Sequence, residues 1–148
     1  MTGFQIERLP VPETLDGPGG ADFVAGVEAR NASEVLGYGI PDVAYPAAEL
    51  LPFWHDPHEP KALWGARVDG VIVARAVHEW QLDDASVGWF DLMVHPDFRG
   101  RGIGRALADE LERHARSLGQ TKLITYAVSP DGPGERLVPP TGAGSLTA

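Results

Sequence analysis

Three arginines and three alternate glycines fall within seven residues, Arg99-Gly100-Arg101-Gly102-Ile103-Gly104-Arg105. Glycines let backbone N–H groups come close to a ligand. From Ile103 onward the apolar residues Ile103, Leu107, Leu111, Ala115 and Leu118 recur at spacings of three and four, so the turn opens an amphipathic helix. The first N–H groups of that helix have no partners within it, and its dipole is positive at that end, which makes the turn an anion site. Charge-assisted hydrogen bonds contribute about 1.5–3 kcal/mol each, so a few would dominate the binding of a pyrophosphate. The competing reading is a tight connection flanked by solvated arginines. Two other phosphate loops fail on detail. The dinucleotide fingerprint needs glycine where Arg105 stands, and the nucleoside-triphosphate loop needs a Gly-Lys-Ser/Thr ending that is absent.

The rest of the chain makes this cationic turn an exception. The net charge is -9, and before residue 61 ten acids face only Arg8 and Arg30. Such a chain would repel a polyanion, so no nucleic-acid partner is expected. With no cysteine there is no disulfide, thiolate metal site or Cys nucleophile, and no metal is expected. No apolar run reaches signal-peptide or membrane-span length, so the expected location is cytoplasmic, without a membrane partner.

At 148 residues, 43% of them apolar, one core is expected. Residues 4–9 alternate as a short strand, and a Pro/Gly-rich turn follows. From Ala21 the residues Phe23, Val24, Val27, Val35 and Leu36 keep a helical period until Gly37 and Gly39. Five prolines between residues 40 and 60 leave at most a helical turn at residues 47–51. The aromatics of that arm, Tyr45, Phe53 and Trp54 with His55 and His58, either line an acceptor pocket or cover the sheet edge. Residues 62–68 and 71–80 around Asp69-Gly70 form a hairpin signal, and residues 87–94 add a third strand to the meander. The helix from Ile103 stops at Gly119, and residues 122–128 form a strand that the helical crossover allows to run parallel to its predecessor. Residues 1–128 are the expected domain, and the Pro/Gly-rich residues 129–148 a tail or linker without regular structure.

The run Leu92-Met93-Val94-His95-Pro96-Asp97-Phe98-Arg99-Gly100-Arg101-Gly102-Ile103-Gly104, followed by Arg105-Ala106-Leu107, resembles the coenzyme A signature of the GNAT superfamily of N-acetyltransferases. That signature is Arg/Gln-x-x-Gly-x-Gly/Ala, met by Arg99, Gly102 and Gly104, and the element order of residues 4–128 is similar to the family's first two thirds. The resemblance implies an α+β fold of three layers (α/β three-layer), a mixed and mainly antiparallel sheet flanked by helices. It implies acetyl-CoA as cosubstrate, with its pyrophosphate held by backbone amides from Arg99 through Gly100, Arg101, Gly102 and Gly104 to Arg105. The strand end Leu92, Met93 and Val94 would pair with the pantetheine arm, and a backbone N–H near Met93 or Val94 would steady the oxyanion. The acceptor would be a small-molecule or N-terminal amine.

Two departures from the family pattern matter. Many members place a glutamate near the start of the signature strand as general base, where this chain has Gly88 and Trp89. Asp91 is then the candidate catalytic base, with Glu79 the other acid nearby, while His78, His95 and His114 add little. The family's C-terminal helix and strands are also missing, and Tyr126 stands within the expected fifth strand. The chain reads as the N-terminal part of a longer protein, such as the first half of a tandem acetyltransferase, and self-association or a C-terminal half are its expected partners. The alternative function is a non-catalytic acyl-CoA-binding module, or the inactive half of a tandem enzyme.

Overall fold

A computed structural model describes residues 3–128, 134, 136–140, 142 and 146–147. The elements are β1 (Gln5–Leu9), α1 (Gly20–Tyr38), α2 (Ala47–Leu50), β2 (Lys61–Val68), β3 (Val71–Trp80), β4 (Val87–Val94), α3 (Ile103–Ser117) and β5 (Lys122–Ile124). Two-residue strands β6 (Arg136–Leu137) and β7 (Leu146–Thr147) pair with each other. The main sheet has the order β1-β2-β3-β4-β5, antiparallel except for the β4–β5 pair. The expected mixed, mainly antiparallel α+β sheet flanked by helices is therefore present.

The hairpin turn explains the centre of the sheet. Asp69 and Gly70 have φ of 48° and 83°, the two positive angles of a type I′ turn. Close to it β3 carries an extra residue, because Ala66 pairs with Ala74 but Arg67 with Ile72. This bulge sharpens the twist of the pair. Below it the faces alternate cleanly. Ala74, Ala76 and His78 look toward α3, whereas Arg75, Val77 and Glu79 look toward α1.

The α3 face packs Ile103, Leu107 and Leu111 on Trp64 and the small residues Ala62, Ala66, Ala74 and Ala76. Full burial of each large side chain contributes about 1.5–3 kcal/mol. The α1 face packs Phe23 and Val27 on Leu9, Leu63, Ile72 and Val77, with Leu51 of the arm closing the cluster. Arg67 ties β1, β2 and α1 together through Glu7 at 2.6 Å and Asp22 at 2.8 Å. The arm's aromatics behave mainly as cover. Trp54 meets Phe23 edge-on, His55 Nε2 bonds Pro12 O, and Tyr45 lies beneath Arg30.

Two expectations are corrected. The strand expected over residues 122–128 ends at Ile124. Beyond it the chain leaves the sheet, and the Val128 carbonyl lies 3.3 Å from where a Cβ of Gly37 would be, so apolar packing on α1 replaces strand pairing. Tyr126 is outside the strand and 88% exposed. The stretch 129–148, read as lacking regular structure, includes the β6–β7 ladder, whose two-residue strands are too short to carry a period.

A polar cluster is buried between β3 and the end of α3. His78 is fully buried, its Nε2 donates to Gln120 Oε1 at 2.8 Å, and its Nδ1 accepts from His114 Nδ1 at 2.7 Å. Only glycine fits beside this cluster on β4, since a Cβ at Gly88 would stand 2.2 Å from Gln120 Oε1 and 2.5 Å from His78 Nε2. Burial, with His78 and Arg8 nearby, lowers the His114 pKa to about 4, and burial also lowers that of His78. Both rings are neutral in the fold and charge in the unfolded chain near pH 6.5. Their contribution to stability is therefore complete above about pH 6.5 and is lost as the pH falls toward 4. Thermal melts should show the midpoint dropping across that window, and a His114→Gln variant should show a shallower drop. Parallel pH profiles for the two proteins would contradict this assignment.

Candidate functional site

The site is built where β4 parts from β5. The parallel pairing covers Val87↔Lys122, Gly88↔Leu123 and Trp89↔Ile124, and beyond Trp89 β4 pairs, among the described residues, only with β3. His95 N bonds Val73 O, which fixes the hydrogen-bond phase of that ladder. Met93 and Asp91 spend their backbone groups on β3, whereas the Leu92 and Val94 N–H groups point to the open edge. An extended ligand can pair there as an added strand.

At the end of this edge lies a cavity of about 310 Å³, bounded by Ser33, Leu92, Val94, Phe98, Arg99, Gly100, Gly102, Ile103 and Gly104. Gly100 and Gly102 have φ of 76° and 87°, left-handed angles that L side chains rarely adopt. They turn the chain into α3, whose N-cap is Gly102, with no side chain capping its N-terminus. The first helical bond runs from Ala106 N to Gly102 O, leaving the earlier N–H groups toward the cavity end. The arrangement can hold an anion by backbone amides and the helix dipole, next to an edge that can pair with a linear chain.

Of the residues expected from sequence, Leu92, Val94, Arg99, Gly100, Gly102 and Gly104 come together around this cavity. Met93 does not. Its side chain lies on the α1 face across from Arg75, and its N–H belongs to the β3 ladder, so Leu92 and Val94 carry the available edge donors. Arg101 and Arg105 lie outside the lining. Arg101 sits over the Phe98 ring at 5.0 Å, and Arg105 is exposed. Arg99 is exposed at the cavity and folds along the surface, donating from Nε to Val94 O at 3.2 Å and from Nη2 to Ser33 Oγ at 2.9 Å. Ser33 was not foreseeable, because nothing in its neighbourhood on α1 marks contact with a loop 66 residues away.

Asp91 lies on the α1 face between the two edge residues Phe90 and Leu92. Its partner is the buried Arg75, with Nη2 3.9 Å from Oδ2, while Asp91 Oδ1 is covered and finds no hydrogen-bond partner among the described residues. Burial raises the Asp91 pKa above the usual carboxylate value, opposed by the positive charges of Arg75 and Arg30. Glu79 shares this face. Burial raises it too, with Lys61 opposing and Asp91 adding repulsion. His95 caps the turn before Arg99 by accepting from Asp97 N. Among the described residues no group of three or more His, Asp or Glu side chains is placed to hold a metal, and no helix is long and apolar enough to cross a membrane.

Comparison with known proteins agrees with this geometry. Residues 27–136 match the model of the acetyltransferase (GNAT) family. An acetyltransferase of Yersinia enterocolitica is 36% identical over 84 residues, covering 51% of this chain and 58% of the relative, and one of Pectobacterium atrosepticum matches over the same shares with the same identity. The matched region thus spans little more than half the length of these relatives. The putative acetyltransferase yncA of Salmonella typhimurium, solved with its cofactor acetyl-CoA, superposes with a TM-score of 0.63 at 18% identity, covering 82% of this chain and 68% of that one. A tandem GNAT protein from the clavulanic acid pathway gives 0.62 at 21% identity, covering 90% of this chain and 39% of its own. By the family match over most of its length, carried on a sheet that opens beside a glycine-rich helix start, the chain belongs to the GNAT family of acetyltransferases.

Proposed function

We propose that this chain transfers an acetyl group from acetyl-CoA to an amine by direct attack on the thioester. The observation that carries the reading is the open edge of β4 running into the cavity at the start of α3. Pantetheine pairs with the Leu92 and Val94 backbone, and the pyrophosphate lies on the amides from Gly100 to Gly104. Acetyl-CoA is also named as the cofactor bound to the similar Salmonella structure.

An alkyl ammonium has a pKa near 10 and must lose a proton before it attacks. Asp91 takes that proton. The free amine forms the N–C bond at the thioester carbonyl, and the Leu92 N–H, aimed at the open edge, steadies the oxyanion. Collapse breaks the C–S bond, and the second amine proton leaves on sulfur, giving the amide and CoA thiol. Burial favours Asp91 in this role by raising its proton affinity, while Arg75 keeps it ionisable. Gly88 explains why a base is absent earlier on β4. The His78–Gln120 pair fills the space that any side chain there would need.

Calorimetry should show CoA binding to the wild type, weakening as salt rises because phosphate recognition is electrostatic. Gly102→Val should abolish it, since a β-branched residue is strained at φ 87° and bulks against the phosphate. Unchanged affinity in a folded Gly102→Val protein would remove the phosphate assignment. Asp91→Asn should lower kcat by about 10²–10⁴-fold, the usual size of general-base catalysis, with CoA affinity kept. In the wild type, kcat/KM should rise with pH through a carboxylate pKa above the usual aspartate value and lose that limb in the variant. Thiol release measured across pH decides it, and a variant as fast as wild type returns proton removal to another group.

A further inference from the structure

On the α1 side of the sheet, beside the point where β4 leaves β5, a second recess of about 200 Å³ is lined by Glu59, Glu79, Trp80, Gln81 and Trp89. Its position is set by register. Trp89 pairs directly with Glu79 across the β3–β4 ladder and is also the last β4 residue paired to β5. The recess therefore adjoins the start of the open edge, where the thioester end of an edge-bound pantetheine would lie.

Its charge is incompletely balanced. Lys61 donates to Glu59 O at 3.1 Å and to Glu59 Oε2 at 3.4 Å, but stands 3.7 Å from Glu79 Oε2. One ammonium thus serves two carboxylates. Arg75, a further cation on the same face, is engaged by Asp91 and does not relieve Glu79. Burial and Asp91 hold the Glu79 carboxyl above its ordinary pKa despite Lys61, as expected of a group short of positive charge. Arg30 is turned to Asn31, the Val43 carbonyl and the Tyr45 ring. The Trp80 ring is turned to His78 and His114 on the other face, at centroid distances of 5.1 and 5.4 Å, which leaves Trp89 as the indole of the recess. An indole attracts a cation that is partly stripped of water, so it and the carboxylates favour the same kind of guest.

Resting on the acyl-transfer reading above, we infer that the recess holds the second cationic group of a diamine acceptor, whose other amine reaches Asp91 and the thioester. The register suits the span. Glu79 and Asp91 are diagonal cross-strand neighbours on one face, a separation of roughly 7–8 Å, which a short alkyl diamine can bridge. A lone amine would leave the recess empty, and an acceptor with a carboxylate in place of the second amine would meet Glu59 and Glu79 with like charge.

The test compares three acceptors on the full chain with saturating acetyl-CoA: n-butylamine, the four-carbon diamine and the four-carbon amino acid. The diamine should exceed n-butylamine in kcat/KM by about tenfold, the size of a cation–π contact with a partly exposed ion pair, mainly through KM. The amino acid should be the poorest. Glu79→Gln and Trp89→Leu should each bring the diamine and n-butylamine together while CoA affinity stays at the wild-type value. Equal rates for the two amines in the wild type, or a diamine preference that survives both substitutions, overturns the inference. Tryptophan fluorescence titrations with CoA present read the recess without turnover. Saturable diamine binding with none by n-butylamine supports it even if no amine releases thiol, a result that would sink the acyl-transfer reading alone. Equal response to both amines overturns the recess assignment.

Discussion

The arrangement of the site depends on where hydrogen bonding between β4 and β5 stops. Three paired residues keep the strands together, and from Leu92 on the outward backbone N–H groups of β4 meet no strand among the described residues. Exposed edges of this kind invite pairing, and the cavity before α3 lies at the end of this one. The edge is stiff because β3 holds the other side of β4 over its whole useful length. β3 is in turn fixed by its hairpin to β2 and by helices on both faces.

The same strand separates two kinds of chemistry by the alternation of its side chains. Phe90, Leu92 and Val94 look toward α3 and continue its apolar core. Trp89, Asp91 and Met93 look toward α1, where the charged groups Arg75, Glu79 and Lys61 collect. A thioester laid along the edge lies in the plane between them, with dry packing on one side and titratable groups on the other.

Much of this was legible in the residues. Asp69-Gly70 gave the hairpin because two positive φ angles leave few other residues possible, and the spacing from Ile103 to Ala115 gave α3 because a helix must bury one stripe. The glycine turn could be read because Gly100 and Gly102 adopt angles that other residues avoid. What could not be read are the contacts made across long sequence separations. The end of β5 at Ile124 depends on Val128 finding Gly37, the hydrogen-bond phase that turns Met93 inward depends on pairing with β3, and the His78–His114–Gln120 cluster joins three elements with no local signal. The charge of the arginines is visible in the sequence, whereas the partners of Arg99, Ser33 and the Val94 carbonyl, are not.

Helix α1 serves both halves of the site. Within little more than one turn, Arg30 and Asn31 hold the arm at Val43 and Tyr45, and Ser33 receives Arg99 from the glycine turn. A helix is stiff along its axis, so the arm and the glycine turn ride on one rigid body. Thermodynamic linkage then applies between them. A ligand at the glycine turn that displaced Arg99, and α1 with it, would change the affinity for a ligand beside the arm by a coupling free energy, and the second ligand would change the affinity for the first by the same amount. The two ends of the site would thus be coupled through a single serine–arginine contact between residues 66 positions apart in the chain.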